Sequence, residues 1–323
     1  MSGGTAPRVM EDFLGVVQLL SDGSVVRGDK AVLRTNEPLP DVPGVQWKDV
    51  LYHAAHGLSV RVYRPAPSVA GGSKLPVVVY FHGGGYCLGS FAEPNFHSFC
   101  LRAAVEISAV VLLTQQYRLA PEHRLPAAID DGTSFLSWLR GQAELGAGAN
   151  PWLAESTDFA RTFLSGHSAG ANLAHHITVR FASGQIAASP RSSPGPSARR
   201  RRLTRRRAYN AYIPTLTTAM ADQLWRMSLP VGASMDHPLA NPFGPESPSL
   251  APVELPPALV VAPLSDVLRD RVLGYGARLK DMGKAVEVVQ FEGEQHGFSV
   301  RQPLGEAASE LLRVIKRFVY SGN

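Results

Sequence analysis

Apolar residues recur along this chain in short β-branched runs, separated by stretches in which they return at helical spacing. Residues 75–81 read LPVVVYF and 109–116 read AVVLLTQQ, and each predicts a strand buried on both faces. Three more strands are predicted at 158–166 (DFARTFLSG), 257–262 (PALVVA) and 285–292 (AVEVVQFE). Between them, 95–107, 126–140, 169–181, 268–282 and 305–319 carry helical patterns; the second opens on Pro126, which suits a helix start. Strands alternating with helices predict an α/β architecture with a mostly parallel central sheet and helices on both faces, in a single domain over 1–323. In such sheets ligands bind at the carboxyl ends of the strands.

Composition changes this picture little. With 45% hydrophobic and 18% charged residues the chain reads as a soluble globular protein, and no run of about 18 apolar residues suggests a spanning helix. The first residues are too acidic, and their apolar run too short, for a secretory signal. Cys87 and Cys100 therefore read as free thiols, and the expected location is the cytosol, with the nucleus as a second compartment. The net charge of +5 misleads, because eight arginines lie in 191–207 (RSSPGPSARRRRLTRRR); without them the remainder carries −3. The composition of that run allows a nucleic-acid partner, but none is expected.

Polar chemistry collects just after the predicted strands. Gly166-His167-Ser168-Ala169-Gly170 sits between a strand and a helix, where a nucleophilic serine needs a sharp turn and close glycine packing. His82-Gly83-Gly84-Gly85 follows the 75–81 strand. Glycines there let backbone N–H groups face a developing oxyanion, with Ala169 adding the N–H after the nucleophile. His82 reads as structural support for that loop. Asp266 lies just past the 257–262 strand and is a better orienting acid than Asp270, which falls within the following helix. His296 lies just past the 285–292 strand and is the candidate base. The order Ser, Asp, His is the one this architecture uses. The pair His53 and His56 lacks neighbouring acidic or Cys ligands, so no metal or other cofactor is expected. The segment YRLAPEHRLPAAIDDG (117–132) reads as structural.

Four motifs, FHGGGYCLGS, YRLAPEHRLPAA, GHSAGANLAHH and EQHGF, resemble the hormone-sensitive-lipase-like branch of the α/β-hydrolases, and within it the plant carboxylesterases. The nearest resemblance is to the carboxylesterase 15 type, a subgroup associated with strigolactone hydrolysis. It implies Ser168, Asp266 and His296 as a catalytic triad, and Gly84, Gly85 and Ala169 as oxyanion donors with Gly83 as a further candidate. The substrate expected is a small apolar ester or lactone. The resemblance also implies that about 1–45 form a helical lid. The alternative is a catalytically idle, hormone-binding protein on the same scaffold; the gibberellin receptors lack the histidine that this chain keeps as His296. His167 replaces the Asp common before the nucleophile, and its side chain is expected to point away from the chemistry.

The resemblance fails at 187–213, AASPRSSPGPSARRRRLTRRRAYNAYI, where the family has an apolar core strand and a loop that shapes the pocket. The abrupt stop, and the resumption near Met220 after a span of similar length, read as a stretch translated in a shifted reading frame. Arginines at this density cannot replace a buried parallel strand without prohibitive desolvation. A sheet interrupted at a central position is therefore expected.

Overall fold

The computed structural model describes residues 6–29, 41–66, 73–114, 117–184 and 216–321. In chain order its elements are β1 (Val9–Phe13), β2 (Val17–Leu20), β3 (Val25–Arg27), β4 (Val45–His53), β5 (Leu58–Pro65), β6 (Leu75–Phe81), α1 (Pro94–Ile107), β7 (Val110–Thr114) and α2 (Ala127–Leu145). After a short helix at Pro151–Ser156 come β8 (Thr157–Gly166), α3 (Ala169–Ala182), α4 (Thr218–Ser228), β9 (Ala258–Pro263), α5 (Arg269–Asp281), β10 (Val286–Phe291) and α6 (Glu306–Tyr320).

The run LPVVVYF behaves as its composition demands: all seven residues of β6 are buried. Strand alternation sends Val77, Val79 and Phe81 into one hydrophobic cluster with residues of α2 and α3. It sends Val78 and Tyr80 into another, with residues of α1 and α6. Helices on both faces leave no polar side to the strand.

The sheet is mixed rather than mostly parallel. Its order is β4-β5-β7-β6-β8, with β6 parallel to β7 and β8. The β4–β5 and β5–β7 pairs are antiparallel. The cause at the edge is local: β4 and β5 are joined by one 3-10 turn, Ala54–His56, closed by Gly57 at φ +62°, a link too short for a parallel crossover.

Among the described residues β9 and β10 pair with each other, in parallel, and form a separate sheet. Among the described residues no strand joins β8 to β9 or β10; the expected interruption falls on the Arg-rich stretch. The Arg-rich stretch itself lies outside the described residues.

The N-terminal expectation needs correction. Residues 6–29 are not helical: β1, β2 and β3 form an antiparallel meander. Turn chemistry sets the local structure here, against what the resemblance implied. Asp12 Oδ1 accepts from Gly15 N at 2.7 Å, Asp22 Oδ1 accepts from Ser24 N at 2.9 Å, and Gly15 and Gly23 take positive φ. The meander packs Phe13, Val16 and Val17 against Cys87 and against Leu224 and Met227 of α4. No helix of the described residues is long and apolar enough to cross a membrane.

Candidate active site

Ser168 is the residue at which β8 turns into α3. It takes φ +56°, a left-handed conformation that a non-glycine residue adopts only when its surroundings impose it. Glycine makes the turn possible on both sides. A Cβ at Gly170 would lie 2.0 Å from the Phe81 carbonyl oxygen, and one at Gly166 would lie 2.4 Å from the Gly170 oxygen. The turn at Ser168 is thus pressed directly onto the end of β6.

His296 and Asp266 reach this serine from the loops that follow β10 and β9. His296 Nε2 lies 3.0 Å from Ser168 Oγ, and His296 Nδ1 lies 2.8 Å from Asp266 Oδ2. Their loops are tied together by Leu264 N donating to Phe291 O and Ser265 N donating to Glu294 O, both at 2.9 Å. Asp266 Oδ1 accepts from Leu268 N at 2.9 Å, which fixes the carboxylate. Burial alone would raise the Asp266 carboxyl pKa. The hydrogen bond and charge of His296, with the Leu268 N–H, outweigh it and hold that pKa below the usual value. Asp270 stands apart in the first turn of α5, exposed and paired with Arg269.

The glycine loop after β6 faces the same serine turn. Gly84 takes φ +115° and Gly85 φ +59°. A Cβ at Gly83 would lie 2.6 Å from His167 Cε1, so this residue touches the turn directly. The backbone N–H groups of Gly84, Gly85 and Ala169 donate to no acceptor among the described residues. Buried His82 supports the loop, as expected: its Nδ1 lies 2.7 Å from Gly83 O, and its ring stacks on Tyr117 at 4.5 Å. Tyr117 in turn donates to His82 O at 3.0 Å, and Ala120 N donates to Tyr86 O at 2.9 Å. The YRLAPEHRLP segment is therefore the buttress of the glycine loop, anchored by the ion pair of Arg118 with buried Asp131.

A serine hydroxyl, an imidazole and a carboxylate in one hydrogen-bonded line, beside uncommitted N–H donors, form an acyl-transfer arrangement. A family model described as the alpha/beta hydrolase fold matches residues 78–300, which include every one of these groups. The chain belongs to the α/β-hydrolase fold family.

Its relatives agree. This hydrolase is 33% identical to the tuliposide A-converting enzyme 1 of Tulipa gesneriana over 87% of the chain and 71% of that protein. It is 31% identical to the 2-hydroxyisoflavanone dehydratase of Glycyrrhiza echinata, over 98% of the chain and 97% of its relative. It is also 31% identical to the probable carboxylesterase 13 of Arabidopsis thaliana, over 96% and 98%. Among solved structures, the esterase of Pyrobaculum calidifontis superposes with a TM-score of 0.63 at 29% identity, over 88% of this chain and 86% of that one. A carboxylic ester hydrolase fits the family model, the probable carboxylesterase and the esterase structure. The expected cytosolic location does not survive them: the tuliposide A-converting enzymes are named as chloroplastic or amyloplastic proteins.

Several residues of the site escaped the sequence reading. His167 does not point away: its ring is half-buried, 5.9 Å from the His296 ring and 5.8 Å from that of Phe96. Tyr86 and Asn172 meet across the pocket, with the Tyr86 hydroxyl donating to Asn172 Oδ1 at 2.5 Å. Position supplied a signal for both, since Tyr86 follows the glycine run and Asn172 lies one helical turn beyond Ser168. Arg27 of β3 reaches the back of the glycine loop, donating to Cys87 O, to Ala120 O at 2.7 Å and to Glu122. Nothing in the sequence around Arg27 announces that contact.

Thiol chemistry is not available here. Cys87 and Cys100 are free and buried, and burial pushes the Cys87 thiol up to about 12. His53 and His56 stack on each other at 4.8 Å, and no described group of His, Cys, Asp and Glu residues could hold a metal ion. The cavity containing Ser168 and His296 has a volume of about 2070 Å³. Phe163 and Leu164 of β8 line it on one side, and Val260 and Val261 of β9 on the other.

Proposed function

We propose that the chain is a serine carboxylesterase acting on small apolar esters or lactones, with Ser168 as nucleophile, His296 as general base and acid, and Asp266 as the group that orients His296. His296 Nε2 takes the Ser168 proton as Oγ attacks the carbonyl carbon. The tetrahedral oxyanion is held by the N–H groups of Gly84, Gly85 and Ala169, with Gly83 adjoining. The protonated imidazole then gives its proton to the leaving alcohol, leaving an acyl-serine. Water, deprotonated by the same nitrogen, releases the acid. Asp266 keeps the proton on Nδ1 and stabilises the imidazolium. Removing one oxyanion donor costs about 3 to 4 kcal/mol of transition-state stabilisation in comparable sites.

The observation that carries this reading is the continuous line from Ser168 Oγ to His296 at 3.0 Å and on to Asp266 at 2.8 Å, built on a serine held at φ +56°. Within the class, the four motifs that resemble the carboxylesterase 15 type add strigolactone-like lactones as the physiological substrates to try. The test is hydrolysis of p-nitrophenyl butanoate by the purified protein and by Ser168→Ala. Turnover that disappears in the variant supports the reading. A folded wild type with no turnover, or a variant as active as wild type, refutes it.

A further inference from the structure

Asn172 lies one helical turn beyond the nucleophile, and its backbone N–H donates to Ser168 O at 3.3 Å. Residues four apart on a helix share a face, with side chains about 6 Å apart. Both Asn172 and Ser168 line the cavity that also holds His296. Leu224 and Trp225 of α4 line it as well, so the carboxamide is a polar point beside apolar side chains.

The orientation of that carboxamide follows from Tyr86. This tyrosine is held from several directions: it takes φ +61°, it is 2% exposed, and its ring meets Tyr117 edge-on at 5.8 Å. A buried phenol keeps its proton and must donate it, and the acceptor within reach is Asn172 Oδ1. Turning the amide over would set Nδ2 against the hydroxyl and leave the hydroxyl proton without an acceptor. The Oδ1 atom is therefore committed to Tyr86. The two protons on Nδ2 have no acceptor among the described residues, although the side chain is half-buried.

We propose that Asn172 is a specificity-determining residue whose Nδ2, oriented by the Tyr86 hydroxyl, donates to an acceptor oxygen on the substrate a few bonds from the scissile carbonyl. The preferred substrates are then esters with a carbonyl, hydroxyl or ether oxygen at that distance, in the acyl or the alcohol part, rather than plain alkyl esters. A site with a pre-oriented donor discriminates against a substrate lacking the acceptor, because the donor is then desolvated and left unpaired. This inference rests on the esterase reading.

The test uses matched pairs on the full chain. On the acyl side, p-nitrophenyl 4-oxopentanoate is compared with p-nitrophenyl pentanoate. On the alcohol side, 2-methoxyethyl butanoate is compared with butyl butanoate by pH-stat. The wild type should favour the oxygen-bearing member of at least one pair by about tenfold or more in kcat/KM, the worth of one neutral hydrogen bond. In Asn172→Ala and Asn172→Asp that ratio should fall to about one or below, and Tyr86→Phe should lower it part-way by freeing the carboxamide to turn. The ratio within a pair cancels any general loss from altered packing, and the three variants guard against one that fails to fold. Wild-type ratios near one in both pairs, or ratios unchanged in the folded variants, overturn the inference while leaving the esterase reading intact. A wild type that hydrolyses none of the four esters overturns both.

Discussion

The imidazole of His167 is wedged between the two loops that face Ser168: its Nε2 would lie 3.2 Å from a Cβ at Gly297, and its Cε1 2.6 Å from one at Gly83. Gly297 follows the candidate base, and Gly83 opens the glycine loop. One half-buried ring thus spaces the His296 loop from the glycine loop, and its Nδ1 has no hydrogen-bond partner among the described residues.

Acid should loosen this arrangement before it unfolds the rest. Burial, followed by the neighbouring His296 and His82, pushes the His167 pKa down to about 3, and Asp266 offsets this only in part. Burial pushes His175, beside His176, to about 3 as well. The unfolded chain binds these protons near pH 6.5 and the folded chain refuses them. The stability they allow is therefore complete above about pH 6.5 and is lost as pH falls towards 3. At pH 5 the cost is roughly 2 kcal/mol for each histidine. Thermal melts between pH 7.5 and 5 should show Tm dropping, and His167→Asn should flatten that slope. A Tm that is level across this range in the wild type would refute the assignment.

Asp266→Asn should lower kcat by roughly 10³- to 10⁴-fold with the fold retained, because the amide stabilises the wrong imidazole tautomer and cannot balance the imidazolium. Asp270→Asn should stay within about twofold of wild type, since Asp270 is exposed and pairs with Arg269 of its own helix. Steady-state kinetics of the two variants side by side separates the acids.

Two glycines predict opposite outcomes from the same substitution. Gly170→Ala places a Cβ 2.0 Å from Phe81 O and 2.6 Å from His82 O; both are backbone atoms that cannot swing aside. It should cost more than about 3 kcal/mol or prevent folding. Gly141, in the interior of α2, has nothing within 4 Å of a Cβ, and Gly141→Ala should stabilise by about 0.5 to 1 kcal/mol. Urea unfolding of Gly141→Ala and soluble yield of Gly170→Ala are the measurements.

Arg27 is the clasp between the N-terminal meander and the back of the glycine loop. Arg27→Ala would strip the carbonyls of Cys87 and Ala120 of a charged donor and leave Glu122 without its partner. We expect a loss of roughly 2 to 3 kcal/mol, faster limited proteolysis within residues 6–29, and a raised KM through α4, which packs between the meander and the pocket. Unchanged proteolysis would show that the apolar contacts of Phe13, Val16 and Val17 hold the meander alone.

Continuous apolar runs made β6 and β7 legible, and helical spacing placed α1, α3, α5 and α6 within a residue or two of where they lie. The β4–β5 hairpin was missed because β4 carries exposed polar positions and two ion-paired arginines, Arg61 and Arg64, interrupt the buried residues of β5, so no apolar run marks either strand. The N-terminal meander was read as helical from resemblance, although the turn-forming Asp12, Gly15, Asp22 and Gly23 were in view.

The candidate site divides along the same physical line. Ser168, Asp266 and His296 were readable because each follows an apolar strand, and parallel strands deliver their carboxyl ends to one edge whatever the rest of the chain does. The sequence alone thereby determined which groups gather, and in what order. Only the tertiary structure decided what surrounds them: the wedge of His167, the Tyr86–Asn172 pair and the reach of Arg27 each join segments that share no pattern, between 86 and 129 residues apart for His167 with His296 and Tyr86 with Asn172, and 60 for Arg27 with Cys87. Contacts of that kind are set by side-chain packing across elements. Periodicity along one element carries no information about them.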